Sequence, residues 1–189
     1  AALEGFEQQA MLRYLRSPLS PIGQQTCDRV ENYVHIWGIT GKRWLEPWTS
    51  HPDGLISERS EWAQKRLDEL EMVRIKVIEP LARLRDCFKN SISISMQVQG
   101  LYAFLDEIEF AKRLAKLSDE FDRAGDNRNA QILNQLWDVL VNAMEQLYDV
   151  LGETHWDDNA FLRLFVLLLS QYDVGTIPTV LDSVTVGPV

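Results

Sequence analysis

The sequence lacks long apolar runs and contains only two cysteines. No stretch reaches the roughly 18 to 20 consecutive apolar residues that a membrane-spanning helix needs, because the strongest candidate, residues 160–169, is interrupted by Arg163. The amino terminus has no basic segment ahead of an apolar one, so it does not resemble a secretory signal. Cys27 and Cys87 have no partner at metal-ligand spacing and are interpreted as small core residues of a reduced protein. We therefore expect a cytoplasmic protein that makes no membrane contact.

Common catalytic signatures are also missing from the chain. There is no GxxxxGK[ST] phosphate-binding loop, no GxGxxG turn, no GxSxG elbow and no HExxH zinc pair. The three histidines, His35, His51 and His155, are scattered along the sequence. We therefore predict no catalytic residue, no metal site and no cofactor in this chain.

Clusters of carboxylates keep a metal-dependent activity open as an alternative. Residues 153–158 combine His155 with three carboxylates, although the acids directly before residue 160 are also typical caps of a following helix. The acidic runs 106–109 and 119–122 lie among lysines and arginines at helical spacing. That arrangement is typical of a solvated helix with ion pairs between neighbouring turns, and we favour it over a two-metal nuclease site.

The charge is unevenly distributed along the chain. Residues 1–100 carry 13 Lys+Arg and 13 Asp+Glu, whereas residues 101–189 carry 6 and 15. An acidic surface repels phosphate, so any contact with nucleic acid is expected in the first half. The basic residues least matched by acids there are the best candidates for phosphate contacts: Arg13, Arg16, Lys42 and Arg43.

Two other features of the first half have simpler interpretations. Trp44 and Trp48 lie in a loop over residues 39–56 that contains prolines and glycines. We expect this loop to pack against the body of the protein, and a base-stacking platform beside Lys42 and Arg43 is the alternative. Other basic residues alternate with acids and are interpreted as an exposed helix surface: Lys65, Arg66, Arg74, Lys76, Arg83 and Arg85.

Apolar residues recur every three or four positions through most of the chain, which is typical of amphipathic helices. The fold class predicted is mainly α, an antiparallel helical bundle. Gly38 is expected to end the second helix, and Pro80 to kink or break the longest one around residues 76–80. The last helix is apolar nearly all round, so we expect it in the middle of the bundle. The predicted helices cover residues 3–15, 26 or 28 to 37, 57–88, 93–108, 109–123, 126–151 and 160–172.

The character of the sequence changes after Gly175. Val184, Thr185 and Val186 form a β-branched run that is typical of a strand. A single strand is not stable alone, so its partners are expected in a part of the protein absent from this chain. The predicted organisation is a helical subdomain over residues 1–175 and a short extended or β segment over residues 176–189.

Two stretches resemble AddB-type subunits of bacterial helicase–nucleases. Residues 11–44 contain MLRYLRSPL, ENY and GITGKRW, similar to FRYLKTGL, LENY and GIxGxxW in that family. Residues 175–187, GTIPTVLDSVTVG, are similar to its GxIPPxLDxVxVG. The chain departs from the family at Ser17-Pro18 and at Thr179. The two stretches bracket nearly the whole chain.

The resemblance implies a helical, 2B-like insertion in a helicase-like lobe. It further implies a parent protein that works with an AddA-type motor subunit on broken DNA ends, with its iron–sulfur cluster and nuclease residues outside this stretch. A non-catalytic role supporting the DNA path is then expected. Two alternatives stay open: an acidic protein-interaction bundle without DNA contact, and a metal-dependent hydrolase.

Overall fold

The computed structural model describes residues 1–55 and 60–172, and these residues form seven α-helices. The mainly α fold predicted from the sequence is confirmed, and no strand occurs within those ranges. The predicted β segment and the boundary at residue 175 lie outside the described residues. The helices are α1 (Gln8–Arg16), α2 (Gln24–Trp37), α3 (Glu61–Asn90), α4 (Ile94–Glu107), α5 (Phe110–Arg123), α6 (Asn127–Leu151) and α7 (Asp158–Ser170), with a 3-10 turn (Gly41–Trp44) between α2 and α3.

Short polar side chains start four of the helices. Ser60, Ser93, Asp126 and Asp157 each accept a hydrogen bond from the backbone N–H three residues ahead. Each bond satisfies an N–H that has no partner within the first turn of the helix. The predicted starts near residues 93 and 126 and the capping role of the acids before residue 160 are confirmed. The cap of α3 is Ser60, so this helix begins later than residue 57, which lies outside the described residues.

The first two helices begin at other positions than predicted. The predicted start at residue 3 is wrong because residues 1–6 form a turn in which the Phe6 N–H donates to the Ala1 carbonyl at 3.0 Å. Phe6 has a φ of +61° and is fully buried, which a continuous helix through this point would not allow. The second helix begins at Gln24, slightly earlier than predicted. Gly38 ends it with a φ of +56°, as predicted.

The longest helix, α3, runs through Pro80 without interruption. A kink or a break was predicted around residues 76–80, and the break does not occur, although Pro80 cannot donate the backbone hydrogen bond of a regular turn. Val77, Ile78 and Leu81 around it are each no more than 3% exposed, so packing against other helices holds the backbone across the missing bond.

Two apolar clusters form the interior. The first joins the N-terminal turn, α1, α2, the Trp44–Trp48 loop and the first two thirds of α3. The second joins the end of α3 with α4, α6 and α7. Leu84 and Phe104 pack against both clusters, so α3 and α4 connect the two parts of the interior.

The position of α7 differs from the prediction. Phe161 and Phe165 are buried, but Leu162, Val166 and Leu167 are 38%, 61% and 55% exposed. Only one face of α7 packs against the rest of the described chain. The expectation that this helix lies in the middle of the bundle is therefore wrong. A sequence that is apolar all round shows that a helix can be buried on every side, but it does not show which other elements cover it.

The hairpin of α5 and α6 carries several exposed acids of the second half. Gly125 adopts a φ of +81° in the short turn between them, and the Ser118 hydroxyl donates to the Ala130 carbonyl at 3.0 Å. On the exposed surface, Lys112 pairs with Glu109 at 2.5 Å across one helical turn. This agrees with the interpretation of the acidic runs as solvated helix faces.

Gly100 marks the close crossing of α3 and α4. A Cβ atom added at Gly100 would lie 2.4 Å from Cys87 Sγ and 3.1 Å from Cys87 Cβ. We expect Gly100→Ala to lower the free energy of unfolding by about 1–2 kcal/mol, because overpacking outweighs the helix propensity of alanine. Urea denaturation measures the change.

A double-mutant cycle supplies the control for that prediction. In a Cys87→Ala background the sulfur is gone, and the same Gly100→Ala substitution should be neutral or stabilising. Equal destabilisation in both backgrounds would show that the crossing at Cys87 is not the cause.

Candidate nucleic-acid interface

The structure brings the start of α1 against the 3-10 turn. The Gln8 backbone N–H donates to Thr40 Oγ1 at 3.2 Å, and the Gly41 N–H donates to the Phe6 carbonyl at 2.9 Å. The Gln8 side chain also donates to the Val34 carbonyl at 3.2 Å, which joins α1 to α2. The four predicted phosphate contacts therefore lie on one connected part of the molecule, two on α1 and two on the turn.

The two arginines of α1 are paired with acids to different degrees. Arg16 makes a two-point ion pair with Glu31, with Nε donating to Oε2 at 3.0 Å. This hydrogen bond lowers the pKa of Glu31, so the pair stays ionised in mildly acidic solution. Arg13 is 73% exposed and lies 3.7 Å from Glu4, itself more than half exposed. Arg13 is thus the more available of the two for an external phosphate.

The two basic residues of the turn also differ. Arg43 donates through Nη1 to the carbonyls of Trp37 and Gly38, at 2.5 and 3.2 Å, and so caps the C-terminus of α2. The Lys42 side chain is exposed and makes no ion pair or hydrogen bond with any other residue that the structure describes. Lys42 and Arg13 are the two cations of this surface that a phosphate can reach at the smallest cost in internal contacts.

The tryptophan loop is packed, as predicted. Trp44 is 0% and Trp48 5% exposed, so neither ring can stack on a nucleic-acid base. Trp48 stacks on Tyr33 with ring centroids 4.8 Å apart, and the Tyr33 hydroxyl hydrogen-bonds to the Ser50 backbone. Burial raises the pKa of Tyr33. The alternative of a base-stacking platform at these two tryptophans does not fit this geometry.

A buried arginine fastens this loop to α3. Arg74 is 6% exposed, which corrects the interpretation of this residue as exposed helix surface. It pairs with Glu71 through Nε at 2.8 Å and donates through Nη1 to the Trp44 carbonyl at 2.9 Å. Glu71 in turn accepts from the Trp48 N–H at 2.9 Å. The hydrogen bond from Arg74 is the main reason that the pKa of Glu71 is lowered.

The carboxylates near His155 serve α7. Asp157 Oδ1 accepts from the Ala160 N–H at 2.9 Å, and Asp158 Oδ1 lies 3.5 Å from the amide nitrogen of Gln97. Among residues 1–55 and 60–172, no group of three or more His, Cys, Asp or Glu is arranged to hold a metal ion. Cys27 and Cys87 are free thiols, and burial raises the pKa of each.

No helix within the described ranges combines the length and apolar character required to cross a membrane.

The structure also brings together three cations of α3 that the sequence interpretation treated as ordinary helix surface and one arginine of α2 that it did not single out. Arg29 of α2 faces Lys65, Arg66 and Lys76 of α3 across a groove, and Trp62 lies at one end of it. The cations of α3 could have been grouped from the sequence by their helical spacing, because positions 62, 65, 66, 69, 72, 73 and 76 fall on one face of α3.

No protein-family model matches the chain. The chain is, however, similar along nearly its whole length to curated bacterial proteins that are named as the B-type subunit of an ATP-dependent helicase/deoxyribonuclease. It is 31% identical to that of Clostridium perfringens (strain 13 / Type A) over 189 residues, and 30% identical to that of Clostridium kluyveri over 188 residues. The protein of Caldanaerobacter subterraneus subsp. tengcongensis is 29% identical over 191 residues. These matches cover 96–99% of this chain.

The described residues thus define a helical segment with groups of cations on α1 and the turn and between α2 and α3, in its first half. The matches confirm the resemblance to AddB-type subunits, and the chain is related to one segment of these ATP-dependent helicase/deoxyribonuclease proteins. It spans 16% of the length of the curated relatives it matches.

Proposed function

We propose that this chain is a non-catalytic helical subdomain of a helicase–nuclease subunit and that it contacts DNA through the surface of α1 and the 3-10 turn. The observation that carries the proposal is the similarity over 96% of the chain to a subunit of an ATP-dependent helicase/deoxyribonuclease. The names of these relatives describe proteins that act on DNA in an ATP-dependent manner. The proposed parent protein processes broken double-stranded DNA ends in the cytoplasm, together with an AddA-type motor subunit.

The proposed place of the chain in its parent is the 2B-like insertion of a helicase-like lobe. The uncovered apolar face of α7, with Leu162, Val166 and Leu167, supports this placement. A contiguous exposed apolar patch is a common mark of a surface that another protein part covers.

The geometry of the turn supports a DNA contact at Lys42. The Trp44 carbonyl is held by Arg74 at 2.9 Å, and Trp48 is held by Glu71 at 2.9 Å. Lys42 therefore extends from a backbone that is fixed on the side facing the core. A cation on a rigid support loses less conformational freedom when it pairs with a phosphate.

Charge removal at Arg13 and Lys42 tests the DNA contact. We expect the double variant Arg13→Gln/Lys42→Gln to bind a duplex with a single-stranded tail on the order of tenfold more weakly in 0.1 M salt. The slope of log K against log salt should become shallower by about 1.8, since each lost contact with a duplex phosphate contributes about 0.9. Fluorescence anisotropy of a labelled duplex over a salt series measures both quantities.

The matched control removes the same charge elsewhere. Lys89 and Lys116 are both exposed and belong to α3 and α5, not to α1 or the turn, so Lys89→Gln/Lys116→Gln should bind nearly as the unaltered chain does. Equal loss in both double variants would indicate unspecific attraction and would contradict a DNA contact at Arg13 and Lys42.

A protein-interaction bundle without DNA contact is the second candidate function. It is favoured by the second half of the chain, where residues 101–189 carry 15 acids and 6 basic residues. Absence of any DNA binding at low salt would support this candidate in place of the first.

A further inference from the structure

The surface between α2 and α3 contains a groove that the proposed function does not use. Two adjoining cavities of about 300 and 480 Å³ form it, and both are lined by Arg29, Arg66 and Glu69. The first continues along α3 to Lys76, and the second ends at Trp62. We call this feature the α2–α3 groove.

The α2–α3 groove carries more positive than negative charge. Four cations line it: Arg29, Lys65, Arg66 and Lys76. Glu69, within the groove, lies 3.7 Å from Arg29, and Asp53, at its edge, lies 2.9 Å from Arg66. Among the residues that the structure describes, Lys65 and Lys76 have no carboxylate within ion-pair distance. These two lysines are therefore available to an anionic ligand.

Trp62 gives the α2–α3 groove an aromatic surface. Its side chain is 60% exposed, whereas the five other tryptophans of the protein are buried or half-buried. The Arg66 guanidinium lies 5.1 Å from the centroid of the Trp62 ring, a cation–π distance. An exposed tryptophan beside arginine and lysine is the combination that proteins use to stack a base and hold the adjoining phosphates.

The length of the α2–α3 groove fits a short single strand. From Trp62 to Lys76 the helix rises about 21 Å, at 1.5 Å per residue. A stacked strand advances about 3.4 Å per nucleotide, so roughly six nucleotides match this length. A base can stack on Trp62 only if its face is free, which is the case in a single strand and not within a duplex.

We propose that the α2–α3 groove binds single-stranded DNA, with Trp62 stacking on a base and Arg29, Lys65, Arg66 and Lys76 contacting phosphates. This inference rests on the proposed function, because that function supplies DNA as the polyanion. It adds a site separate from Arg13 and Lys42. The α1 and turn surface receives the backbone of a duplex, and the α2–α3 groove receives an unpaired strand.

Intrinsic fluorescence provides the first test. Because Trp62 is the exposed tryptophan, an unlabelled single strand of about six to ten nucleotides should quench the emission of the chain, and Trp62→Leu should remove the quenching. Inorganic phosphate at the same ionic strength should not quench. Quenching that persists in Trp62→Leu would overturn the stacking role of this residue.

Affinity measurements with a labelled single strand provide the second test. We expect Trp62→Leu to weaken binding about tenfold. Lys65→Gln/Lys76→Gln should make the salt dependence shallower by about 1.4, which is about 0.7 per lost contact with a single strand. The control Lys89→Gln/Lys116→Gln removes the same charge outside the groove and should retain the original slope.

Glu69 allows a test in the opposite direction. Glu69→Gln removes the carboxylate that pairs with Arg29 within the groove, so the single strand should bind at least twofold more tightly. A variant that loses affinity only because it misfolds cannot reproduce this gain. Unchanged or weaker binding by Glu69→Gln would overturn the assignment of phosphates to the middle of the groove.

The outcomes separate this inference from the proposed function. Loss of single-strand binding in the groove variants, with binding of a duplex without a single-stranded tail intact, supports the inference. Loss only in Arg13→Gln/Lys42→Gln overturns the inference and leaves the proposed function in place. Loss only in the groove variants, with no effect of Arg13→Gln/Lys42→Gln, supports the inference and contradicts the proposed duplex contact. No binding to either DNA overturns both.

Discussion

Glu71→Ala is expected to lower the free energy of unfolding by about 3–5 kcal/mol. Arg74 is 6% exposed and depends on Glu71 for its only ion pair among the described residues. Removal of the carboxylate leaves a buried guanidinium without a counter-charge and takes the acceptor away from the Trp48 N–H. Urea denaturation followed by circular dichroism measures the loss.

The control for this prediction lies on the same helix. Glu79 pairs with Arg83 at 3.7 Å, and both side chains are more than half exposed. Glu79→Ala should therefore change the unfolding free energy by less than about 1 kcal/mol. Similar losses from Glu71→Ala and Glu79→Ala would contradict the assignment of a special role to the buried pair.

The dependence on pH has a defined sign for this pair. The hydrogen bond from Arg74 lowers the pKa of Glu71 below its usual value of 4.5. The pair thus stabilises the fold fully above the unfolded-state pKa, and this stabilisation is lost as the pH falls through the lower pKa of the folded state. In Glu71→Gln this part of the acid-induced loss of stability should be absent.

Phe161→Ala is expected to cost about 3–5 kcal/mol of unfolding free energy. Phe161 is 0% exposed and packs edge-on against Phe88, with ring centroids 5.1 Å apart, and beside Phe165 at 6.0 Å. Its truncation leaves a cavity where α7 meets the end of α3. Loss of the contact with Phe88 should also weaken the packing of α7 against α3. Thermal and urea denaturation measure the change in stability.

Val166 provides the matched control on the same helix. It lies on the uncovered face of α7 and is 61% exposed, so Val166→Ala should change stability by no more than about 0.5 kcal/mol. If Val166→Ala were as damaging as Phe161→Ala in the isolated chain, the exposed face of α7 would have to be covered in solution.

The two large effects bear on function in different ways. The Glu71–Arg74 pair fixes the loop that carries Lys42 and Arg43, so Glu71→Ala should also disturb the proposed duplex contact. Phe161 belongs to the second apolar cluster, away from both proposed DNA surfaces. If Phe161→Ala lowers stability but leaves DNA affinity unchanged, DNA binding by the first half does not depend on the packing of the second apolar cluster.

Local patterns were sufficient to predict much of the architecture. Helix starts and ends depend on hydrogen bonds and backbone angles within a few residues, so the local residue types were enough to predict them. This applies to the starts at Ser93 and Asp126, the cap at Asp157 and the glycine end at Gly38. The packing of Trp44 and Trp48 also followed from their size and apolar area. The β segment over residues 176–189 and the phosphate contacts remain predictions.

Other features depended on contacts between distant parts of the chain. Arg74 alternates with acids like its neighbours in sequence, and only the approach of the Trp44 carbonyl makes it a buried anchor. Pro80 stays within a helix because its surroundings are packed, and α7 is open on one face because no other described helix covers it. The α2–α3 groove could not be predicted from the sequence because Arg29 and Arg66 line it from two different helices. Sequence periodicity thus determined which residues share a helix face, whereas the tertiary structure decided what each face meets, because burial and charge pairing depend on neighbours that are remote in the chain.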